Sequence, residues 1–233
     1  MKRKIRLLIV EDEVAILTGL TDLFVFHGYE VDSADNGDEG LKKALSGRYD
    51  LILLDIMLPG INGYTICERV RERDRDQPII MLTAKSADED VIQGLSLGAD
   101  DYVAKPFSVA QLVLRVEAVL RRCNRVAAMV DTIHLGDDVE LHSSNLSGQR
   151  GGEPLTFTRR EMEIIEYLNA NTDRPVSRDE LLNRVWGYAR DLELETRTVD
   201  IHIAKIRRKI EADPAQPRYL TTVRGRGYRL LSN

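Results

Sequence analysis

The sequence predicts an α/β protein: a five-stranded, doubly wound parallel sheet, then a second domain of short strands and three helices that closes on a β-hairpin. Three observations predict it. From residue 5 to about 122, short apolar runs alternate with longer amphipathic segments, the pattern of strand–helix repeats around a parallel sheet. After Arg122 this alternation stops, and short β candidates bounded by Gly, Asn and Ser follow. The chain then ends on YLTTVRGRGYRLL, two alternating runs joined by Gly225, Arg226 and Gly227, which signals a hairpin.

The strands of the first half are IRLLIV, YEVDSA, DLILLD, PIIML and DYVAK. Leu51 to Leu54 show no apolar–polar alternation, so a buried helix or a strand covered on both faces would fit. The run is short and Pro59 and Gly60 soon close it, which favours a parallel strand. Helices begin at recognisable signals, Ser108 before VAQLVLRVEAVLRR and Ser86 before ADEDVIQGLSLG with acids in its first turn. These readings set a first domain at 1–122, a linker at 123–130 and a second domain at 131–233. The second domain carries β candidates TIHLG, VELHS and LSGQRGGEPLTF, then helical stretches TRREMEIIEYLNAN, SRDELLNRVW and ETRTVDIHIAKIRRKIEA.

Composition narrows the function. The chain has 233 residues, 43% hydrophobic and 30% charged, as expected of a globular protein with one or two cores. No apolar run approaches the roughly 18 residues of a membrane span. In MKRKIRLLIVEDE the acids at Glu11 onward interrupt before a signal peptide's apolar region is complete, so a cytoplasmic protein is expected. Cys67 and Cys123, and the four histidines His27, His134, His142 and His202, show no metal-ligand spacing. The net charge of −5 is uneven: residues 1–122 hold 16 Lys or Arg against 21 Asp or Glu, and 197–229 hold nine basic residues against three acidic. An anionic partner is therefore expected at the C-terminal end.

An aspartate after a strand, taken alone, is ordinarily a turn cap. Asp55 has company: the first strand ends in Glu11, Asp12 and Glu13, the fourth in Thr83, and the fifth in Lys105 before Pro106. In a 2-1-3-4-5 sheet these ends share one edge, around the switch point between strands 1 and 3. Clustered carboxylates repel unless a cation sits among them, which implies a divalent metal, and Mg²⁺ suits hard oxygen ligands completed by water and phosphate. A Lys ammonium and a Thr hydroxyl at the same edge suit phosphoryl oxygens. The expected chemistry is phosphoryl transfer onto Asp55.

IVEDE, LLDIMLPG, MLTA, GADDYVAKPF, RTVDIHI and TVRGRGYRL, in this order over essentially the whole chain, resemble two-component response regulators of the OmpR/PhoB type. The resemblance implies a flavodoxin-like receiver and a winged-helix effector with a small β platform and a wing hairpin. Asp55 would accept the phosphoryl group from a phosphohistidine of a sensor histidine kinase. Glu11, Asp12, Asp55 and the Met57 carbonyl would hold Mg²⁺, Glu11 through water. Lys105 and Thr83 would bind phosphoryl oxygens, Tyr102 would be the aromatic switch, and the Lys105–Pro106 bond would be cis. Phosphorylation would promote a homodimer through the 87–122 face, with Ile92, Leu95 and Leu114 apolar and Asp100, Asp101, Arg115 and Arg122 charged. Val91, Gln111 and Glu117 depart from the family's usual charges there.

In the second domain the resemblance places a recognition helix in the major groove of double-stranded promoter DNA and a wing at the adjacent minor groove. Thr198, His202, Lys205, Arg207 and Arg208 are the candidates on the helix, Arg224 is the wing arginine, and Thr222 and Tyr228 are backbone contacts. His202 packed against its own domain is the other reading, and Ala204 stands where relatives often carry a basic residue. RNA polymerase is a further partner that the resemblance allows. The implied protein is a transcription factor binding tandem half-sites, not an enzyme, with at most autodephosphorylation. A haloacid-dehalogenase-type phosphatase would need an aspartate two residues after the nucleophile, and Met57 stands there. Phosphate-independent DNA binding is a third reading, which the intact Glu11, Asp12, Asp55, Thr83 and Lys105 set disfavours.

Overall fold

A computed structural model describes residues 3–83, 97–123, 132–187 and 197–231. The chain forms two compact units, Met1–Arg121 and Arg122–Asn233.

The first unit is built on strands β1 (Arg6–Val10), β2 (Glu30–Ala34), β3 (Leu51–Asp55), β4 (Ile79–Thr83) and β5 (Asp101–Ala104). They pair in parallel in the order 2-1-3-4-5. Every residue of β3 and β4 is buried, because helices cover both faces and leave no side for polar residues. On one face Leu7, Ile9, Leu51, Leu53, Ile80 and Leu82 pack with Leu20 and Phe24 of α1 (Val14–Phe26) and with Leu112 and Val116 of α4 (Val109–Cys123). Helices α2 (Gly37–Ala44) and α3 (Gly63–Arg73) are each N-capped by an asparagine, Asn36 and Asn62, whose side chain accepts an N–H of the first turn. The expected helix after Ser86 lies outside the described residues. α4 runs on to Cys123, so the first residue of the expected linker is helical, and 124–130 lies outside the described residues.

The second unit opens with the antiparallel meander β6 (Thr132–Leu135), β7 (Val139–His142), β8 (Ser147–Arg150) and β9 (Glu153–Thr156). Helix α5 (Arg159–Asn169) starts at a reciprocal capping box between Thr158 and Glu161. α6 (Arg178–Leu181) continues as one π-helical turn, Leu182–Trp186, and ends at Gly187. α7 (Arg197–Ile210) turns Val199, Ile203, Ile206 and Ile210 inward beside Trp186, Met162 and Ile165 of the same buried interior. The hairpin β10 (Leu220–Val223) and β11 (Gly227–Leu230) closes the chain. Gly227, at φ +120°, lets the hairpin lie against the segment before α6: a β-carbon there would fall 2.0 Å from the Val176 carbonyl oxygen. Among the described residues no helix is long and apolar enough to cross a membrane.

Candidate functional site

The first cluster forms at the C-terminal ends of β1, β3 and β5. Largely buried strands carry Glu11 and Asp55 to the rim, and Gly63 permits close approach behind them, since a β-carbon there would fall 2.1 Å from the Asp55 carbonyl oxygen. Glu11, Asp12 and Asp55 each offer a carboxylate oxygen within 4.8 Å of the others. Glu11 and Asp55 are buried and Asp12 is exposed at the mouth. Lys105 closes the cluster: its Nζ donates to Glu11 Oε1 at 2.7 Å and to Asp55 Oδ2 at 3.0 Å. Glu13 Oε1 lies 3.9 Å from the same nitrogen.

Asp55 Oδ1 accepts the Met57 N–H at 3.3 Å. The Lys105–Pro106 peptide is cis, and the Lys105 N–H donates to the Thr83 carbonyl at 2.6 Å. Burial, reinforced by the Asp55 charge, raises the Glu11 carboxyl above its ordinary range although Lys105 opposes it. Burial works against the charged form of Lys105 too, but its bonds to Glu11 and Asp55 win and hold the ammonium above its usual value. Glu11 Oε2 is buried with no hydrogen-bond partner among the described residues. An all-oxygen set of three carboxylates with one orphaned buried oxygen fits a hard divalent cation such as Mg²⁺. Thr83 is fully buried and Tyr102 nearly so, on adjacent strands.

Several charges expected on the 87–122 face are committed inside the unit. Asp100 is buried and accepts from Arg71 Nη2 and from the Ile79 N–H, both at 2.9 Å. Asp101 is fully buried and accepts from Arg115 Nη1 at 2.6 Å. A buried carboxylate needs such partners, so in this structure Asp100 and Asp101 pair inside the unit, with Arg71 and Arg115, rather than standing open at its surface. Leu114 is exposed, as is Gln111; Val91, Ile92, Leu95 and the side chain of Arg122 lie outside the described residues.

In the second unit, Arg208, Arg224 and Arg226 are exposed on α7 and the hairpin tip, beside exposed Ala204. Other expected DNA contacts are buried or paired within the unit. Thr198 is 3% exposed. His202 is fully buried edge-on to Trp186, ring centroids 5.3 Å apart, and neither ring nitrogen has a hydrogen-bond partner among the described residues. Burial, with Lys205 nearby, holds its imidazole well below the ordinary value, so it is neutral. Lys205 is 8% exposed, with its Nζ 3.1 Å from Glu161 Oε1. Glu161 is itself buried; burial alone would raise its carboxyl, but Lys205 and Lys209 bring it down to about 2.

Arg207 holds the hairpin rather than reaching away from it: Nε donates to the Leu220 carbonyl and Nη2 to Thr222 Oγ1, both at 2.8 Å. Tyr228 is 4% exposed, and its hydroxyl donates to Asp200 while accepting from Arg178 Nη2. Sequence reasoning placed Glu13 at the end of the first strand without giving it a role, and it missed Arg71, Arg178 and Asp200, which act through partners far away in the chain and leave no local signal.

Comparison with known proteins finds a family for each of the two units. The family described as "Response regulator receiver domain" matches residues 7–117, and "Transcriptional regulatory protein, C terminal" matches 152–230. The chain is 41% identical over 229 residues to the sensory transduction protein RegX3 of Mycolicibacterium smegmatis, covering 96% of this chain and 97% of that one. It is 40% identical over 233 residues to the alkaline phosphatase synthesis transcriptional regulatory protein PhoP of Bacillus subtilis, covering 97% and 96%. Among solved structures, a mutant of RitR aligns with TM-score 0.74 at 27% identity, over 98% of this chain and 100% of that one. The response regulator DrrB, an OmpR/PhoB homologue of Thermotoga maritima, aligns with TM-score 0.53 at 30% identity over the same shares.

Proposed function

This chain belongs to the two-component response regulators of the OmpR/PhoB type, DNA-binding transcriptional regulators rather than enzymes, and from that premise we propose that phosphorylation of Asp55 controls its DNA binding. The observation that carries the proposal is the bridge of Lys105 between Glu11 and Asp55, with three carboxylates clustered around it. The donor is a phosphohistidine of a sensor histidine kinase. An Asp55 oxygen forms the new P–O bond as the N–P bond breaks, and its electron pair returns to the imidazole, which takes up a proton. Glu11, Asp12, Asp55 and the Met57 carbonyl would hold Mg²⁺, which when bound supplies charge neutralisation for the incoming phosphoryl oxygens. Lys105 leaves its carboxylate partners to pair with those oxygens, and Thr83 donates its hydroxyl to one of them.

The added charge, close to two units, is a local electrostatic change that biases the 87–122 face through Thr83 and Tyr102. The phosphorylated chain pairs with a second copy through that face, where Leu114 is exposed, and the pair binds tandem half-sites of double-stranded promoter DNA. Arg208 and Arg224 reach the DNA, the first from α7 and the second from the hairpin tip, and RNA polymerase is a further contact. The chain divides into a receiver at 1–122 and an effector at 131–233, and works in the cytoplasm, where a kinase's cytoplasmic domain and DNA meet. The experiment is intact-mass measurement of wild type and Asp55→Ala after incubation with acetyl phosphate and Mg²⁺. One phosphoryl group on the wild type and none on the variant supports the proposal; equal labelling, or none on either, contradicts it.

A further inference from the structure

The outer face of the β6–β9 meander gathers a second set of metal-ligand side chains. Alternation along β6 and β7 turns Ile133, Leu135, Val139 and Leu141 inward, where each is at most 3% exposed. It turns His134, Glu140 and His142 to the other face, His134 exposed and the other two half-buried. The pairing register sets His134 directly opposite Glu140, and His142 follows Glu140 two residues along the same strand. Opposed β-carbons lie roughly 5 Å apart and same-face neighbours on one strand about 6.8 Å apart, so the three side chains can meet above the sheet. The turn between β6 and β7 brings them together, and no spacing in the sequence announces it.

Glu140 is held from the next strand, its Oε2 accepting from Gln149 Nε2 at 2.8 Å. Its other oxygen, Oε1, stands 3.7 Å from His142 Nε2. That is too long for a hydrogen bond, but it is close to the roughly 3.4 Å between two ligands placed about 2.1 Å from one tetrahedral ion. Among the described residues only Glu11, Asp12 and Asp55 bring three ligand atoms within 4.8 Å as they stand. The His134 ring therefore turns to complete the set, and it has no hydrogen bond to break among the described residues.

Two imidazoles and a carboxylate differ in kind from the all-oxygen cluster around Asp55. Nitrogen donors favour borderline transition ions over Mg²⁺, and three protein ligands leave a fourth position for water. Gln149 fixes the direction of the carboxylate, as outer hydrogen bonds do around bound metals.

We propose that His134, Glu140 and His142 form a surface site for a divalent transition-metal ion of the Zn²⁺ class, separate from the acidic cluster.

The test titrates Zn²⁺ calorimetrically into the full chain in excess Mg²⁺, which competes for the acidic cluster. The wild type takes up one Zn²⁺ that is lost in His134→Gln and in His142→Gln, and Gln149→Ala weakens its binding roughly tenfold. The same equivalent persists in Asp55→Ala, a control for the acidic cluster, and in His27→Gln and Cys123→Ser, controls for ligands elsewhere; Cys67 and His202 are buried. If half-buried His142→Gln loses its fold, exposed His134→Gln carries the test. No uptake by the wild type overturns the proposal, as does uptake unchanged in His134→Gln. Loss in Asp55→Ala, His27→Gln or Cys123→Ser places the ion at another site and overturns it as well.

Discussion

Lys105 and Asp55 stand fifty residues apart in the chain and meet at 3.0 Å, with Glu11 on the other side of the same ammonium at 2.7 Å. The lysine therefore occupies the charge balance that a metal ion would otherwise supply.

Replacing it exposes that competition. In Lys105→Gln the carboxylates lose their internal cation, so Mg²⁺ binds at least roughly tenfold more tightly, a factor that needs only ~1.4 kcal/mol of removed repulsion. Calorimetric titration of Mg²⁺ into both proteins checks this; unchanged or weaker binding would show that Lys105 does not compete for the site.

Glu161 gives the second unit an acid limit. Its carboxyl sits at about 2 in the folded chain against an ordinary 4.5, through Lys205 and Lys209. The unfolded chain therefore binds more protons as pH drops, so the contribution is complete above about 4.5 and is lost as pH falls toward 2. Glu161→Gln removes this dependence and costs about 3 kcal/mol at neutral pH, because Lys205 and Lys209 both lose the buried carboxylate they pair with. Trp186, the single tryptophan and fully buried in this unit, reports its unfolding by fluorescence.

His202 acts earlier in the same direction. It is neutral when folded and takes a proton when unfolded below about 6.5, so stability falls by about 1.4 kcal/mol per pH unit from there downward. His202→Leu flattens that segment of the pH profile and changes neutral-pH stability little, since it removes two unpartnered buried nitrogens. A slope that persists in the variant would place the titration elsewhere.

Arg224, exposed at the hairpin tip, is expected to meet DNA without a part in the acidic cluster. Arg224→Ala weakens binding of the enriched duplex, the one that the wild type selects from a random-sequence pool, while leaving the mass change at Asp55 intact. Equal affinity in a gel-shift titration would remove the wing contact from the account.

The acidic cluster was legible in the sequence because its information is local. An all-apolar run such as Leu51–Leu54, short and closed by Pro59 and Gly60, favours a buried parallel strand, and the sheet order then brings strand-terminal Glu11, Asp55, Thr83 and Lys105 to one edge. The fate of individual charges was not legible. Asp100 and Asp101 look like surface acids until Arg71 and Arg115 are seen reaching them from other elements. The surroundings of the recognition-helix candidates were not legible either: a helical period says which residues share a face, not that Lys205 finds buried Glu161 or that His202 packs on Trp186.

Control of DNA binding by Asp55 is tested by comparing retention of the enriched duplex by wild type and Asp55→Asn, each with Mg²⁺ and with or without beryllofluoride, a phosphoryl mimic. Tighter retention by the wild type alone, and only with beryllofluoride, is the predicted result; an equal response of both proteins, or of neither, would contradict it.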